Sequence, residues 1–353
     1  MSCQITVRAT GHQFSADPTE TILTAALRQG VGLPYGCKNG ACGSCKGTVL
    51  EGEIEQGPHA AHALSAEEKA AGKALFCCAH ARTDLVIEAR ELSGMGDIPV
   101  RKMPARIVKI ERLSEDVAIV SVQLPAAERL QYRAGQYLDF ILRDNTRRSY
   151  SIATPPHADG TLQFHIRHMP GGRFTDALFG LAKEGQPVFK ERDILRCEGP
   201  LGTFFLRDDR QRPIVLLASG TGFAPIKAIA EHLFHQGINR DTPVLFYWGG
   251  RRPRDLYQHA LVQQWVATEP NFRYVPVVSN ALPEDGWTGR TGFVHQAVMA
   301  DLPDLSAYQV YACGAPVMVE NAQKDFVGRC RLPEDQFFAD SFTSQADLIN
   351  AES

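Results

Sequence analysis

The stretch Gly36-Cys-Lys-Asn-Gly-Ala-Cys-Gly-Ser-Cys-Lys46 decides how the first part of this chain folds. Three thiols at the spacing C-x4-C-x2-C can face one centre only if the backbone turns sharply between them. Glycine permits such turns because it lacks a Cβ. The cysteines and glycines concerned are Cys37, Cys42, Cys45, Gly36, Gly40 and Gly43. We expect a wrapped loop whose N–H groups point at the sulfur atoms.

A fourth thiol comes much later, in Ala74-Leu-Phe-Cys-Cys-Ala-His80, where Cys77 and Cys78 are adjacent. C-x4-C-x2-C with a distant cysteine is the ligand spacing of plant-type [2Fe–2S] clusters, which transfer one electron at a time. Zinc usually takes two close cysteine pairs, and this pattern has one. Nine cysteines in 353 residues are too sparse for a disulfide scaffold. The spacing predicts an electron-transfer protein and leaves open which adjacent thiol is the fourth ligand.

Composition sets limits on the rest of the chain. A length of 353 residues is enough for roughly two or three domains, and 44% hydrophobic residues is ordinary for a globular protein. A net charge of −3 gives no reason to expect nucleic acid as a partner. Apolar runs such as Ile214–Ala218 are too short to cross a membrane, so no membrane partner is expected. Because Met1–Arg8 has no apolar signal region and the thiols must stay reduced, we expect a cytoplasmic protein.

Hydrophobic periodicity changes twice along the chain. The first part is α+β, with short strands, a predicted helix over Thr21–Gln29 and a capping-box pattern at Ser65–Glu68. From about Pro104 to Arg207, strand-sized alternation broken by turns favours an antiparallel β-barrel. The predicted domains are a cluster domain over 1–92, a linker over 93–102, a barrel over 103–208 and an α/β domain over 209–353.

The third part alternates strands with helices, which is typical of a parallel α/β sheet. Its first strand is predicted at Ile214–Ala218 and its first helix at Pro225–His235. A second strand at Val244–Trp248 and a second helix at Tyr257–Thr268 follow in the same order.

Two glycine-containing turns have the composition of phosphate-binding sites. Gly171 and Gly172 precede a predicted helix whose unpaired N–H groups favour an anion. Gly220-Thr-Gly-Phe-Ala-Pro225 follows a strand directly, and Pro225 replaces the third glycine of a G-x-G-x-x-G pattern. Proline there suits the first residue of a helix, and two glycines still allow phosphate to approach the backbone.

The motifs of all three parts resemble the ferredoxin–NADP reductase superfamily with an N-terminal plant-type [2Fe–2S] domain. Arg148-Ser-Tyr-Ser151 resembles the flavin motif R-x-Y-S/T, and Gly220–Pro225 resembles G-T-G-x-x-P. The resemblance implies a β-grasp ferredoxin fold for the first domain and FAD in the barrel, although the motifs alone also admit FMN. It assigns Arg148 to the flavin phosphate, Tyr150 to the isoalloxazine ring and Ser151 to a hydrogen bond near flavin N5.

The same resemblance assigns further residues. Tyr311-Ala-Cys-Gly-Ala-Pro-Val-Met318 resembles the motif C-G-x-P-x-M, which places Cys313 near the site of hydride transfer. In the segment Phe337–Phe342, Phe342 is expected to cover the other face of the flavin. The phosphate and dinucleotide contacts fall to Gly171, Gly172, Arg173, Thr175, Gly220, Thr221, Gly222, Pro225 and Gly314.

The fourth cluster ligand and the nucleotide are also matters of resemblance. Cys77-Cys-Ala-His-Ala-Arg-Thr-Asp84 is similar to the closing segment of plant-type ferredoxins, and this similarity selects Cys77. The acidic residue that usually binds the ribose 2′-hydroxyl is replaced by Gly249-Gly-Arg-Arg-Pro-Arg-Asp255. Its arginines, Arg251 among them, can receive the 2′-phosphate of NADPH, bind the diphosphate of NADH or lie in a solvated turn. Reductases with this domain order mostly use NADH, which is our expectation.

Within the superfamily, the segments around Cys37 and Cys77 look most like CDP-6-deoxy-Δ3,4-glucoseen reductases, which pass electrons to an iron–sulfur dehydrase. The implied route is hydride transfer from nicotinamide to flavin beside Tyr150, Ser151 and Cys313, then single electrons to the cluster. A partner would dock beside the cluster loop. Reductase components of mono- and dioxygenases share the architecture and stay an alternative, as do a non-catalytic iron–sulfur module and a plain flavin or quinone reductase.

Overall fold

The computed structural model describes residues 2–92, 98–125, 129–183, 188–207 and 212–342. The chain divides into two compact units, of which one comprises 1–99 with 340–353 and the other comprises 100–339. Part of the predicted linker, 93–97, and the predicted boundary at 208 lie outside the described residues. No helix in the described ranges is long and apolar enough to cross a membrane.

The first unit is a small mixed sheet with one helix packed against it. Its elements are β1 Cys3–Val7, β2 Gln13–Ala16, α1 Ile22–Arg28, β3 Lys46–Glu51, β4 Ile54–Gln56, α2 Ala66–Ala70, β5 Lys73–Leu75, β6 Ala79–Ala81 and β7 Leu85–Glu88. The main sheet has the order β2-β1-β7-β3-β5, with β1 antiparallel to β2 and parallel to β7. This is the expected β-grasp arrangement of a ferredoxin domain.

Both predicted helix starts in the first unit are confirmed. The Thr21 hydroxyl accepts a hydrogen bond from the Thr24 N–H at 3.2 Å and caps α1. At α2 the Ser65 hydroxyl accepts from Glu68 N at 3.2 Å, and the Glu68 carboxylate accepts from Ser65 N at 2.9 Å. The reciprocal pair satisfies two N–H groups that the first turn leaves without helical partners.

The second unit begins with the predicted antiparallel barrel. Its elements are β8 Arg101–Arg112, β9 Val117–Gln123, β10 Tyr137–Ile141, β11 Arg147–Ser151, β12 Leu162–Arg167, α3 Arg173–Leu178 and β13 Ile194–Leu201. The strand order is β11-β10-β13-β8-β9-β12, and a bridge between Ile152 and Phe164 joins the two outer strands. Strand β8 has 12 residues and begins inside the predicted linker.

A parallel sheet with flanking helices follows. Its elements are β14 Ile214–Ser219, α4 Phe223–His235, β15 Val244–Gly250, α5 His259–Thr268, β16 Phe272–Val278, β17 Arg290–Thr291, α6 Val294–Asp301, β18 Gln309–Gly314, α7 Pro316–Arg329 and β19 Phe337–Ser341. The order is β17-β16-β15-β14-β18-β19, so consecutive strands run outward from β14 on one side and β18 lies on the other. A sheet of this kind binds ligands where the order reverses, at the carboxyl ends of β14 and β18.

The predicted start of the first helix in this sheet was wrong by two residues. A short 3-10 turn over Gly220–Gly222 leads directly into α4 at Phe223, so Pro225 is the third helical residue and not the first. Proline is tolerated there because the N–H groups of a first helical turn have no helical partner. Helix α5 likewise begins at His259, two residues after the predicted Tyr257.

Candidate cofactor sites

The cluster loop directs backbone N–H groups at its thiols, as its glycines predict. The Cys37 sulfur accepts hydrogen bonds from Ala41 N at 3.4 Å and Cys42 N at 3.3 Å. The Cys42 sulfur accepts one from Cys37 N at 3.3 Å. Gly40 has φ +77°, and a Cβ at this position would lie 2.9 Å from the Cys78 sulfur. The loop therefore needs glycine both for its backbone angle and for space.

The four predicted ligand thiols interact in two pairs. The Cys37 thiol donates to Cys42 and lowers the pKa of the Cys42 thiol. The hydrogen bond with Cys45 is the main cause that raises the pKa of Cys77. Cys45 and Cys77 are buried, and the loop surrounds Cys37 and Cys42 with N–H donors. Four thiols, two of them buried and two half-buried, with directed N–H groups offer the donor atoms that a [2Fe–2S] cluster requires.

Two residues near the loop, Cys78 and Asp340, add to the chemistry of this site. The Cys78 sulfur lies 3.6 Å from the Cys77 sulfur, so both thiols stand at the fourth ligand position and Cys77 stays a prediction. The Asp340 carboxylate, which belongs to the first unit, lies next to Gly36. Burial and the Cys42 thiolate raise the pKa of Asp340 to about 7. No sequence motif indicated this contact, because more than half the chain separates the two residues.

The predicted flavin residues lie along β11. Arg148 and Tyr150 are half-buried and Ser151 is buried. The Tyr150 ring packs against Phe140 and Phe174, with ring centroids 5.3 and 5.2 Å away. Burial raises the pKa of Tyr150, so its phenol stays protonated at neutral pH. The strand therefore presents an apolar ring with a cationic and a hydroxyl neighbour, a combination that suits a flavin and its phosphate.

The predicted phosphate turn before α3 is held by its own side chains. Gly171 has φ +80° and Gly172 caps α3. The Thr175 hydroxyl donates to the Met169 carbonyl at 2.9 Å, so this residue fixes the turn. Arg173 is exposed and pairs with Asp144. The Gly172 N–H donates to the same Met169 carbonyl at 2.8 Å, so this N–H and the Thr175 hydroxyl are both bonded within the turn.

The nucleotide crevice is built where β14 and β18 end side by side. A Cβ on Gly222 would lie 2.1 Å from the Cys313 carbonyl oxygen, and one on Gly314 would lie 2.2 Å from the Ser219 hydroxyl. The Ser219 hydroxyl also accepts from Ala315 N at 3.0 Å. Only glycines allow these two loops to approach so closely. Thr221 and Pro225 are buried in the same segment, and Cys313 is fully buried at the end of β18.

Three barrel residues near the crevice, Arg167, Asp116 and His165, are not among the predicted site residues. Arg167 lies over Gly220, where a Cβ would be 3.1 Å from its Nη1, and it pairs with Asp116 at 3.2 Å. His165, two residues earlier on β12, is bonded through Nδ1 to the Tyr257 hydroxyl at 2.9 Å. Residues two apart share one face of a strand, so the alternation His165-Ile-Arg167 was the available signal.

Two further predicted residues, Arg251 and Phe342, directly follow strands β15 and β19. Arg251 follows β15 with an exposed side chain, while the neighbouring Arg252 pairs with Asp285 at 2.7 Å. Phe342 is half-buried, directly follows β19 and belongs to the first unit. Its predicted place over the flavin stays a prediction.

Family models match all three parts of the chain. A 2Fe-2S iron-sulfur cluster binding domain matches residues 5–82, an oxidoreductase FAD-binding domain matches 104–206, and an oxidoreductase NAD-binding domain matches 216–324. Their order along the chain agrees with the order of the cluster loop, the barrel and the parallel sheet.

Relatives match over nearly the whole length. The CDP-6-deoxy-L-threo-D-glycero-4-hexulose-3-dehydrase reductase of Yersinia pestis is 40% identical over 97% of this chain and 99% of the relative. Reductase component 2 of terephthalate 1,2-dioxygenase from Comamonas sp. is 32% identical over 98% of each. Among solved structures, the Amycolatopsis cytochrome P450 reductase GcoB has a TM-score of 0.74 and 33% identity, over 97% of this chain and 99% of that one.

Proposed function

The chain belongs to the iron–sulfur flavoprotein reductases that join a [2Fe–2S] domain, an FAD-binding domain and a nicotinamide-binding domain, and from that premise we propose a route for its electrons. It is an NAD(P)H-dependent oxidoreductase. Electrons enter as a hydride from NADH at the crevice between β14 and β18, and they leave singly from the cluster loop to a partner enzyme. When bound, FAD and the cluster supply the conversion of a two-electron donor into one-electron steps.

The chain's own residues have distinct tasks in this route. Tyr150 and Ser151 position the flavin ring, and Cys313 adjoins the nicotinamide at the end of β18. The glycines of the β14 and β18 loops let the dinucleotide approach the backbone, since any Cβ there would collide with neighbouring atoms. Arg148, Arg173 and the turn at Gly171 and Gly172 face the flavin phosphates. Cys37, Cys42, Cys45 and Cys77 hold the cluster.

The partner that we propose is a CDP-hexulose dehydrase, docked near the cluster loop. The observation that carries this choice is the 40% identity to a dehydrase reductase over nearly both full lengths, against 32% to the terephthalate dioxygenase component. The oxygenase component is the second candidate. A cytoplasmic location goes with the proposal because four cysteines must stay reduced to bind iron.

One experiment separates these partners. The protein would be reduced with NADH without oxygen and mixed with a CDP-hexulose dehydrase or with the oxygenase component of a terephthalate system. Rapid reoxidation of the cluster by the dehydrase alone supports the proposal. Reoxidation by the oxygenase component alone favours the second candidate.

For the domain limits we propose 1–92, 103–208 and 209–353, joined by 93–102. The family models support the order and approximate extent of the three domains. Limited proteolysis with mass spectrometry tests the limits, with cleavage expected first within 93–102 and near 208.

A further inference from the structure

The turn after β15 is where this sheet meets the adenine-side ribose, because the second strand of such a sheet ends at the ribose 2′ position. This inference rests on the proposed use of a nicotinamide dinucleotide. The turn carries Arg251 and Arg252, and β16 ends beside it, with Asn280 N donating to the Arg251 carbonyl at 2.8 Å. The expected acidic residue is absent from β15 itself.

Arg252 is not available to a ligand, because an acidic pair on the next loop already binds it. Its Nε lies 2.7 Å from Asp285 Oδ2 and its Nη2 lies 2.7 Å from Asp285 Oδ1, which is a bidentate ion pair. The Glu284 carboxylate is 3.5 Å from Nη2. The Arg252 and Asp285 side chains are 23% and 16% exposed, so both are substantially shielded from water. The Arg252 guanidinium holds the pKa of Asp285 below its usual range.

Arg251 differs from its neighbour although both belong to the same turn. Its side chain is exposed, and within the described ranges no carboxylate pairs with its guanidinium. The Asp255 carboxylate instead holds the backbone of the turn, since Oδ2 accepts from Arg251 N at 2.7 Å and from Arg252 N at 3.0 Å. One arginine is thus free for a diphosphate, while the other is neutralised.

We propose that the Arg252–Asp285 pair, with Glu284, makes this turn select NADH over NADPH. Asp285 and Glu284 together hold the Arg252 guanidinium, so an added 2′-phosphate finds no unpaired cation at Arg252. Arg252 can reach that phosphate only by breaking its bidentate pair. The carboxylates of Asp285 and Glu284 take the place of the acidic residue that β15 lacks, although a different loop supplies them.

The test uses the full protein and two adenosine probes that differ as NADPH differs from NADH. Binding of 2′,5′-ADP and 5′-ADP would be measured by calorimetry for the wild type and for a Glu284→Gln, Asp285→Asn double variant. We expect the wild type to prefer 5′-ADP. In the double variant the affinity for 2′,5′-ADP rises by about tenfold or more, which corresponds to about 1.4 kcal/mol, while that for 5′-ADP changes much less. The Asp285 carboxylate accepts from Leu282 N at 2.9 Å, and the amide oxygen of an asparagine can accept the same bond, so the loop keeps its shape.

A matched variant decides whether Arg252 is responsible. Adding Arg252→Gln to the double variant should remove most of the gain for 2′,5′-ADP. A gain that is undiminished without Arg252, no gain in the double variant, or equal binding of both probes by the wild type would each overturn the inference. Flavin reduction by neither NADH nor NADPH would instead contradict the proposed function, and the probe measurements would still be interpretable.

Discussion

The cluster loop and the nucleotide crevice both depend on glycine, but for different reasons. Gly40 has φ +77°, which lets the chain turn so that neighbouring N–H groups face the Cys37 sulfur. Gly222 has an ordinary φ of −56°. It must lack a Cβ because that atom would lie only 2.1 Å from the Cys313 carbonyl oxygen. The cluster site acts through four side chains, three from the loop and that of Cys77, whereas the crevice acts through its backbone. Loss of one cluster thiol should therefore abolish electron transfer through the cluster. A change in the crevice should only slow flavin reduction by NADH.

The largest expected effect is at Cys77. Cys77→Ser should lose most of its iron and its iron–sulfur absorption, because serine is a poor replacement for a thiolate ligand. Cys78→Ser is the matched control and should keep both, although its sulfur lies only 3.6 Å from that of Cys77. Iron analysis and the visible spectrum measure the outcome. The opposite pattern would transfer the ligand assignment to Cys78.

A graded effect is expected in the crevice. Gly222→Ala places a Cβ 2.1 Å from a carbonyl oxygen, so the β14 and β18 loops must move apart. We expect flavin reduction by NADH to slow by about a hundredfold, since small misplacements of reacting groups cost that much. The iron content should not change. Gly328→Ala, at a helical position with open space, is the control. A wild-type rate in Gly222→Ala would show that the loops separate without cost.

A pH effect is expected in the second unit. Burial, with Lys227 nearby, lowers the pKa of His165 to about 3, against about 6.5 in an unfolded chain. Between these values the unfolded chain binds a proton at His165 and the folded chain does not. This residue should therefore lower the free energy of unfolding by about 1.4 kcal/mol for each pH unit below about 6.5.

Tryptophan fluorescence can measure this effect, because Trp248, Trp265 and Trp287 are the chain's three tryptophans and all belong to the second unit. Urea unfolding at several pH values between 6.5 and 5 gives the slope. His165→Asn keeps a hydrogen-bonding group for Tyr257 but removes the titrating ring, so its slope should be shallower. An unchanged slope would contradict the burial argument.

The smallest expected effect is on the stability of the first unit. Ser65→Ala removes the hydroxyl that caps α2 and should destabilise this unit by about 1 kcal/mol. Ser65→Thr is the control, since threonine also caps helices. Thermal loss of the iron–sulfur absorption reports on this unit, and the tryptophan signal of the second unit should not change. A matching shift in the tryptophan signal would mean that the two units do not unfold independently.

Local patterns made most of the fold predictable. The cysteine loop, the capping box at Ser65 and the alternation of the sheet each involve residues close in sequence, so spacing alone indicates them. The Arg252–Asp285 pair joins residues 33 apart, and the His165–Tyr257 bond joins residues 92 apart. No local sequence pattern indicates that either of these pairs is in contact. The predicted start of α4 is wrong because proline is a common first helical residue, whereas the turn at Gly220–Gly222 already leads into the helix.

The most direct test of the central claim is an anaerobic titration of the protein with NADH, followed by its visible spectrum. The account predicts bleaching of both the flavin and the iron–sulfur bands, with roughly three electrons taken up per chain, two by the flavin and one by the cluster. Bleaching of the flavin bands alone would contradict the internal route from crevice to cluster. No bleaching with either NADH or NADPH would contradict the assignment of the chain as a reductase.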